Sequence, residues 1–380
     1  MPLWHETLFL STKTLTFAEA NRKQHNQIMK ALFAERFKSA RLMKGFSLQD
    51  LADALEPPLS RQALHRYEKG EVLPDSERLI QLSKALGVTP DFFFRSTQVV
   101  LGEIEYRKLS KMPQKEAAVI KEKTKEYLSR YLELEEILGL PYAFEHPLND
   151  FETVTTFEQV NRAAKVVRSQ WELGKGPIFN VVELLEDKHI KVVKLDVNDD
   201  FDGLQTWVNV SIPVLAYNVN KTNKTDRIRF TLLHELAHLL LKFGDVTERQ
   251  KETLCHQFAG AMLLPEETIK AELGTNRNKI SSFELANIKK QYGISMQAII
   301  MRAKDCGIIN ENYTKQLFFL FKQMNWKVDE PFEYEGVEQS NRFEQLLFRA
   351  LIEEQISISR AAALNNQSLA DFKKAHLMAF

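Results

Sequence analysis

Apolar residues recur at threes and fours through the first part of the chain and are interrupted at Gly45, Pro57-Pro58, Gly70, Pro74, Gly87 and Pro90. Breaks that frequent predict short helices up to about Arg95. From Lys115 to Leu138 helix formers dominate, and Ile120, Tyr127, Tyr131, Leu134 and Leu138 fall down one side. A single amphipathic connecting helix is expected there, a solvated spacer whose stripe packs on a neighbouring domain; the heptads end too soon for a coiled coil. Gly139 and Pro141 then stop it.

Beyond about Val154 the pattern changes. Helices are expected from Phe157 to Trp171 and Val181 to Asp187, followed by strands from Ile190 to Val197, Leu204 to Val210 and Val214 to Asn218. Helical spacing returns at Asp226 and holds to about Arg302. The last stretch, Pro331 to Phe380, predicts two helices and then a helix-break-helix pattern around Ser357 to Phe372.

Length and composition narrow the classes. A chain of 380 residues with 44% hydrophobic side chains has the stock for two or three packed domains. Its 51 basic and 51 acidic side chains exclude bulk polyanion binding. With only Cys255 and Cys306, neither a disulfide framework nor a multi-cysteine metal cage is available. No apolar run is long enough to span a bilayer, and Met1 to Glu6 lacks the basic start and apolar core of a signal peptide, so a cytoplasmic protein is expected.

Two stretches carry chemistry. Phe46 to Leu55 and Leu59 to Gly70 read as short helices joined by a tight turn, with Ser47 and Ser60 as N-caps and Asp50 completing a box-like start. In the second helix Ala63, Leu64 and Tyr67 face inward, while Arg61, Gln62, His65 and Arg66 face out beside Ser60. That outward set suits a major groove, where Arg donates to guanine or phosphate and Gln pairs with adenine. From Ala34 to Phe94 the sequence resembles the Cro/CI (XRE-type) helix-turn-helix family, through Leu51-Ala52, Tyr67-Glu68-Lys69-Gly70, Pro74, Leu82 to Val88 and Phe92-Phe93. It departs from the family at Leu48, usually a Gln, and at Glu56-Pro57-Pro58, which enlarges the turn. The resemblance implies binding to a double-stranded DNA operator, with a homodimer spanning two half-sites. The competing reading is a helical bundle kept for protein contact, since the domain is close to charge-neutral.

The second stretch, Arg227 to Leu241, holds H-E-x-x-H at His234, Glu235 and His238 in an apolar helical frame. A spacing of four sets both imidazoles on one face, about 6 Å apart along the axis, where they can share one zinc ion. Glu235 is then placed to take a proton from water. A third ligand is needed, and Glu248, Glu252 and His256 all lie along one stripe of the next helix, so spacing leaves the choice open.

Pro177 to Pro265 resembles the ImmA/IrrE family of zinc metallopeptidases. Arg229-Phe230-Thr231 before the two histidines matches its active-site helix, and Glu252, Cys255, Phe258-Ala259 and Leu263-Leu264-Pro265 match its downstream helix. The resemblance implies Glu252 as the third ligand and Cys255 as a buried small residue. Phe201-Asp202-Gly203-Leu204 and the strand ending at Asn218 also sit as in that family, and the strand is expected to present an edge to an extended peptide.

The expected fold is mainly α with an α+β peptidase domain. It divides into a helix-turn-helix DNA-binding domain (1–95), a helical linker (96–150), a zincin-like zinc metallopeptidase domain with a small sheet (151–305) and a helical C-terminal region (306–380). Function is expected to be that of a DNA-binding regulator whose endopeptidase half cleaves a specific repressor or partner protein. The alternatives are a non-enzymatic regulator or antitoxin in which the zinc fold is structural or binds a partner, and a self-processing switch cut near Leu140 to Asp150.

Overall fold

The computed structural model describes residues 5–96, 99–102, 112–140, 144–197, 202–221, 224–327 and 329–376, with side chains from residue 22 onward. No helix among them is long and apolar enough to cross a membrane. The chain forms two compact units.

The first unit comprises residues 1–98, 113–138 and 346–380. It opens with α1 (His5–Lys44), a 40-residue helix where short ones were expected. No Gly or Pro interrupts that span, and Gly45 ends it at φ 71. Helices α2 (Leu48–Ala54), α3 (Arg61–Glu68) and α4 (Ser76–Leu86) follow, each started by a side-chain cap: Ser47 with its capping box, Ser60 and Asp75. A 3-10 turn, Pro90–Phe94, closes the motif. Phe33, Phe37, Leu51, Leu64, Leu82, Phe92 and Phe93 form its core. Gly70 sits at φ 68, and a Cβ there would lie 3.2 Å from the Lys30 carbonyl oxygen, so the turn after α3 presses on α1 only because it is glycine.

The helix expected as a spacer whose stripe packs on a neighbouring domain, α5 (Gln114–Ile137), lies within this unit with that stripe buried. It buries Thr124, Glu126, Leu128 and Ser129 as well as the Ile120, Tyr131 and Leu134 stripe. Glu126 accepts from Arg36 at 2.6 Å and also pairs with Arg95, so α5 neutralises two buried arginines of the α1 region.

After α14 (Arg342–Ile352) the chain forms α15 (Ile358–Leu364) and α16 (Leu369–His376). One helix rather than two therefore stands between Pro331 and the helix-break-helix pattern. Arg130 of α5 donates to the Leu364 carbonyl at 2.8 Å, and Arg360 pairs with Glu133 and, at 3.4 Å, with Asp91. The tail thereby packs within this unit.

The second unit, residues 99–112 and 139–345, holds α6 (Phe157–Gln170), α7 (Val181–Asp187) and the sheet of β1 (Lys191–Leu195), β2 (Gly203–Val208) and β3 (Ile212–Asn218). Then come α8 (Thr225–Leu240), α9 (Glu248–Leu263), α10 (Glu266–Leu273), α11 (Ser282–Tyr292), α12 (Met296–Asp305) and α13 (Glu311–Gln323). The strand order is β1-β3-β2, with β1 parallel and β2 antiparallel to β3. The strand ending at Asn218 is therefore central and cannot offer an edge, because both its sides are hydrogen-bonded; the edge next to it is β2. All seven β3 residues are buried, as a central strand covered on both faces requires. Phe201 of the expected Phe201-Asp202-Gly203-Leu204 match lies outside the described residues, as do 97–98, 103–111 and 141–143 of the expected linker.

Candidate metal centre

Helix α8 is buried throughout from Thr231 to Leu240, so the polar residues of that stretch are conspicuous. His234, Glu235 and His238 are 7%, 1% and 9% exposed. Helix α9, started by a Thr247 capping box, runs beside it and brings Glu252 to the two imidazoles. Among the described residues, His234, His238 and Glu252 alone form a cluster able to hold a metal ion.

The geometry fits zinc. Glu252 Oε2 lies 3.1 Å from His234 Nε2, Glu252 Oε1 lies 3.5 Å from His238 Nε2, and the two Nε2 atoms are 3.2 Å apart. Zinc bonds of 2.0–2.1 Å in tetrahedral directions separate neighbouring donors by roughly 3.3 Å. Contact with His234, then His238, holds the Glu252 carboxyl far below the usual carboxylate range, so it is an anionic donor.

The spacing that left three choices is thus separated by which turn of α9 faces α8. His256 lies alongside, its ring 4.4 Å from that of His234 and 5.9 Å from Phe230, with Nδ1 2.7 Å from the Glu252 carbonyl oxygen. Surrounding protein atoms, then His234, push its imidazole below the ordinary value. Glu248 is exposed at the start of α9, and Cys255 is fully buried.

Glu235 is walled in by β2. A Cβ on Gly203 would lie 2.9 Å from the Ala216 carbonyl oxygen, 2.9 Å from Thr231 Cγ2 and 3.1 Å from Glu235 Cγ. Only glycine lets the strand approach the helix this closely.

Two buried ion networks fix α8, and their acidic members were not evident from the sequence. Arg229, fully buried, pairs with Glu338 and donates to the carbonyls of Ile178 at 2.5 Å and Gly293 at 3.0 Å. Glu338 also accepts from the amides of Val181 at 2.7 Å and Val182 at 3.1 Å, and burial raises its pKa despite the arginine. At the start of α8, Lys289 lies 2.9 Å from both Asp226 and Glu330. The segment that carries Glu330 and Glu338 has no regular structure, so no periodicity could reveal it.

In the first unit, α3 exposes Arg61, Gln62, His65 and Arg66, with Leu64 buried and Ala63 and Tyr67 half-buried. Ser60 accepts from the Ala63 amide at 3.1 Å. Arg66 is 3.2 Å from Glu71, and an inner pair, Arg41 to Glu68 at 2.7 Å, ties α3 to α1. Tyr67 meets the edges of Phe33 and Phe37.

A capped helix pair in one unit and a two-histidine helix faced by a glutamate in the other define a helix-turn-helix domain joined to a zincin-like domain. Residues 37–93 match the family described as helix-turn-helix, and residues 185–304 match the IrrE N-terminal-like domain. The chain carries both domains. It is also 42% identical over 66 residues to the SPbeta prophage-derived uncharacterized HTH-type transcriptional regulator YonR of Bacillus subtilis (strain 168). That stretch covers 17% of this chain and 59% of the relative.

Proposed function

We propose that the chain is a DNA-binding transcriptional regulator whose second domain is a zinc-dependent endopeptidase acting on a specific repressor or partner protein. The observation that carries it is the buried Glu235 beside the converging His234, His238 and Glu252. The last three would hold zinc, which when bound polarises a peptide carbonyl and acidifies water. Glu235 would take the proton from the attacking water and return it to the departing amine. The β2 edge would align an extended substrate by backbone hydrogen bonds. Cleavage would be selective, because an unselective protease inside a cell is costly, so hydrolysis of generic casein would count against it.

In the first unit Ser60, Arg61, Gln62, His65 and Arg66 would meet an operator, a homodimer covering two half-sites. The relative's description as a transcriptional regulator supports this. Alanine at Arg61 and Arg66 together should weaken operator binding at least about tenfold, with a shallower salt dependence.

Glu235→Gln separates the enzyme from the alternative of a partner-binding regulator. The variant should keep zinc and DNA binding while losing cleavage and its effect in cells. Normal regulation by Glu235→Gln would place the protein in the non-enzymatic class.

A further inference from the structure

The outer edge of β2 is not bare. Residues 99–102 run antiparallel to its end, with Leu101 bridged to Val208. Gly102 donates to the Trp207 carbonyl at 2.7 Å, the Asn209 amide donates to the Val100 carbonyl at 3.0 Å, and the Val100 amide donates to Asn209 Oδ1 at 3.0 Å. The fit depends on glycine, since a Cβ on Gly102 would lie 2.9 Å from the Trp207 carbonyl oxygen. Val99 is buried and Val100 is largely exposed, the alternation of a strand laid on a sheet edge. These four residues thus behave as a seated peptide, although the helices on either side in sequence, α4 and α5, belong to the other unit.

We propose that Val99–Gly102 is a built-in competitor, holding the β2 edge on which an extended substrate would be seated. This rests on the reading of β2 as the substrate's edge. Strand addition supplies affinity through main-chain hydrogen bonds, so a segment of almost any sequence can compete if it is tethered. The tether gives it an effective concentration near the millimolar range, well above that of a partner protein free in solution. An antiparallel strand entering at Val208 advances toward Gly203, the end of β2 beside Glu235, so a substrate paired along the whole strand would need the position that Leu101 holds.

The test is made in full-length Glu235→Gln protein, where nothing can be cut. A fluorescein-labelled synthetic peptide carrying residues 96–106 is titrated by anisotropy into that protein, into the same protein with Gly102→Val, and into the same protein with Asn209→Gly. Asn209 sits at φ 49, so glycine keeps the turn while removing the side-chain acceptor. Freeing the edge should lower the apparent dissociation constant of the peptide about tenfold or more in both variants. The same peptide with proline at the positions of Val100 and Gly102 lacks both donating amides and should bind none of them. Hydrogen exchange at the Asn209 amide should be slow in the parent and faster with Gly102→Val.

Equal peptide binding across the three proteins, or unchanged exchange at Asn209, would overturn the competitor while leaving the peptidase reading intact. Tighter binding in the freed variants would support it even if variants with Glu235 restored cleave nothing. In that case the peptidase reading fails and the docking stands.

Discussion

Replacing Glu338 tests whether a strap remote in sequence holds α8, the helix of the candidate metal centre. Glu338→Leu leaves the guanidinium of Arg229 buried with carbonyl partners alone, and breaking a buried ion pair on one side costs about 3–5 kcal/mol. The same carboxylate accepts from Val181 and Val182 at the start of α7, and each lost hydrogen bond adds about 1 kcal/mol. Because one group serves all three contacts, the combined loss should be about 4–6 kcal/mol rather than a strict sum. For a domain of this size that lowers the melting temperature by about 10–20 °C.

Urea denaturation followed by the tryptophan fluorescence of the second unit measures the loss. Arg229→Met in the same background should recover at least about 1–2 kcal/mol, since an apolar pair removes the uncompensated charge. A cost below about 1 kcal/mol for Glu338→Leu, or no recovery in the double variant, would refute the anchoring role.

Gly203→Val should force β2 away from α8, costing about 1–3 kcal/mol of stability and weakening zinc retention in equilibrium dialysis; full zinc retention would show that the close approach is dispensable. Glu126→Leu should leave Arg36 and Arg95 facing each other and destabilise the first unit by about 3–5 kcal/mol, read by urea denaturation; a neutral effect would show that α5 is held by its apolar stripe alone.

What the sequence revealed was local. Ser47, Ser60 and the Ala63, Leu64 and Tyr67 face were legible because a cap and its helix lie within a few residues of each other. The pairing of His234 with His238 was legible for the same reason, since one helical turn sets it. Glu252 needed the family resemblance, because its choice over Glu248 and His256 depends on how α9 packs against α8.

Glu338 lies 109 residues from Arg229 and Glu126 lies 90 from Arg36, and no periodicity links residues that far apart. Sheet order was hidden too, because the burial that makes β3 central is a property of its neighbours. The apolar stripe of α5 was visible, but its partner was not. A stripe shows only that something covers it, and here α1 packs against the helix that carries it.

A zinc site made by His234, His238 and Glu252 can be checked by elemental analysis of the wild type beside Glu252→Ala and His256→Ala. About one zinc per chain is expected, lost or weakened in Glu252→Ala and retained in His256→Ala. No metal in any of the three proteins after zinc is offered, or loss with His256→Ala alone, would contradict it.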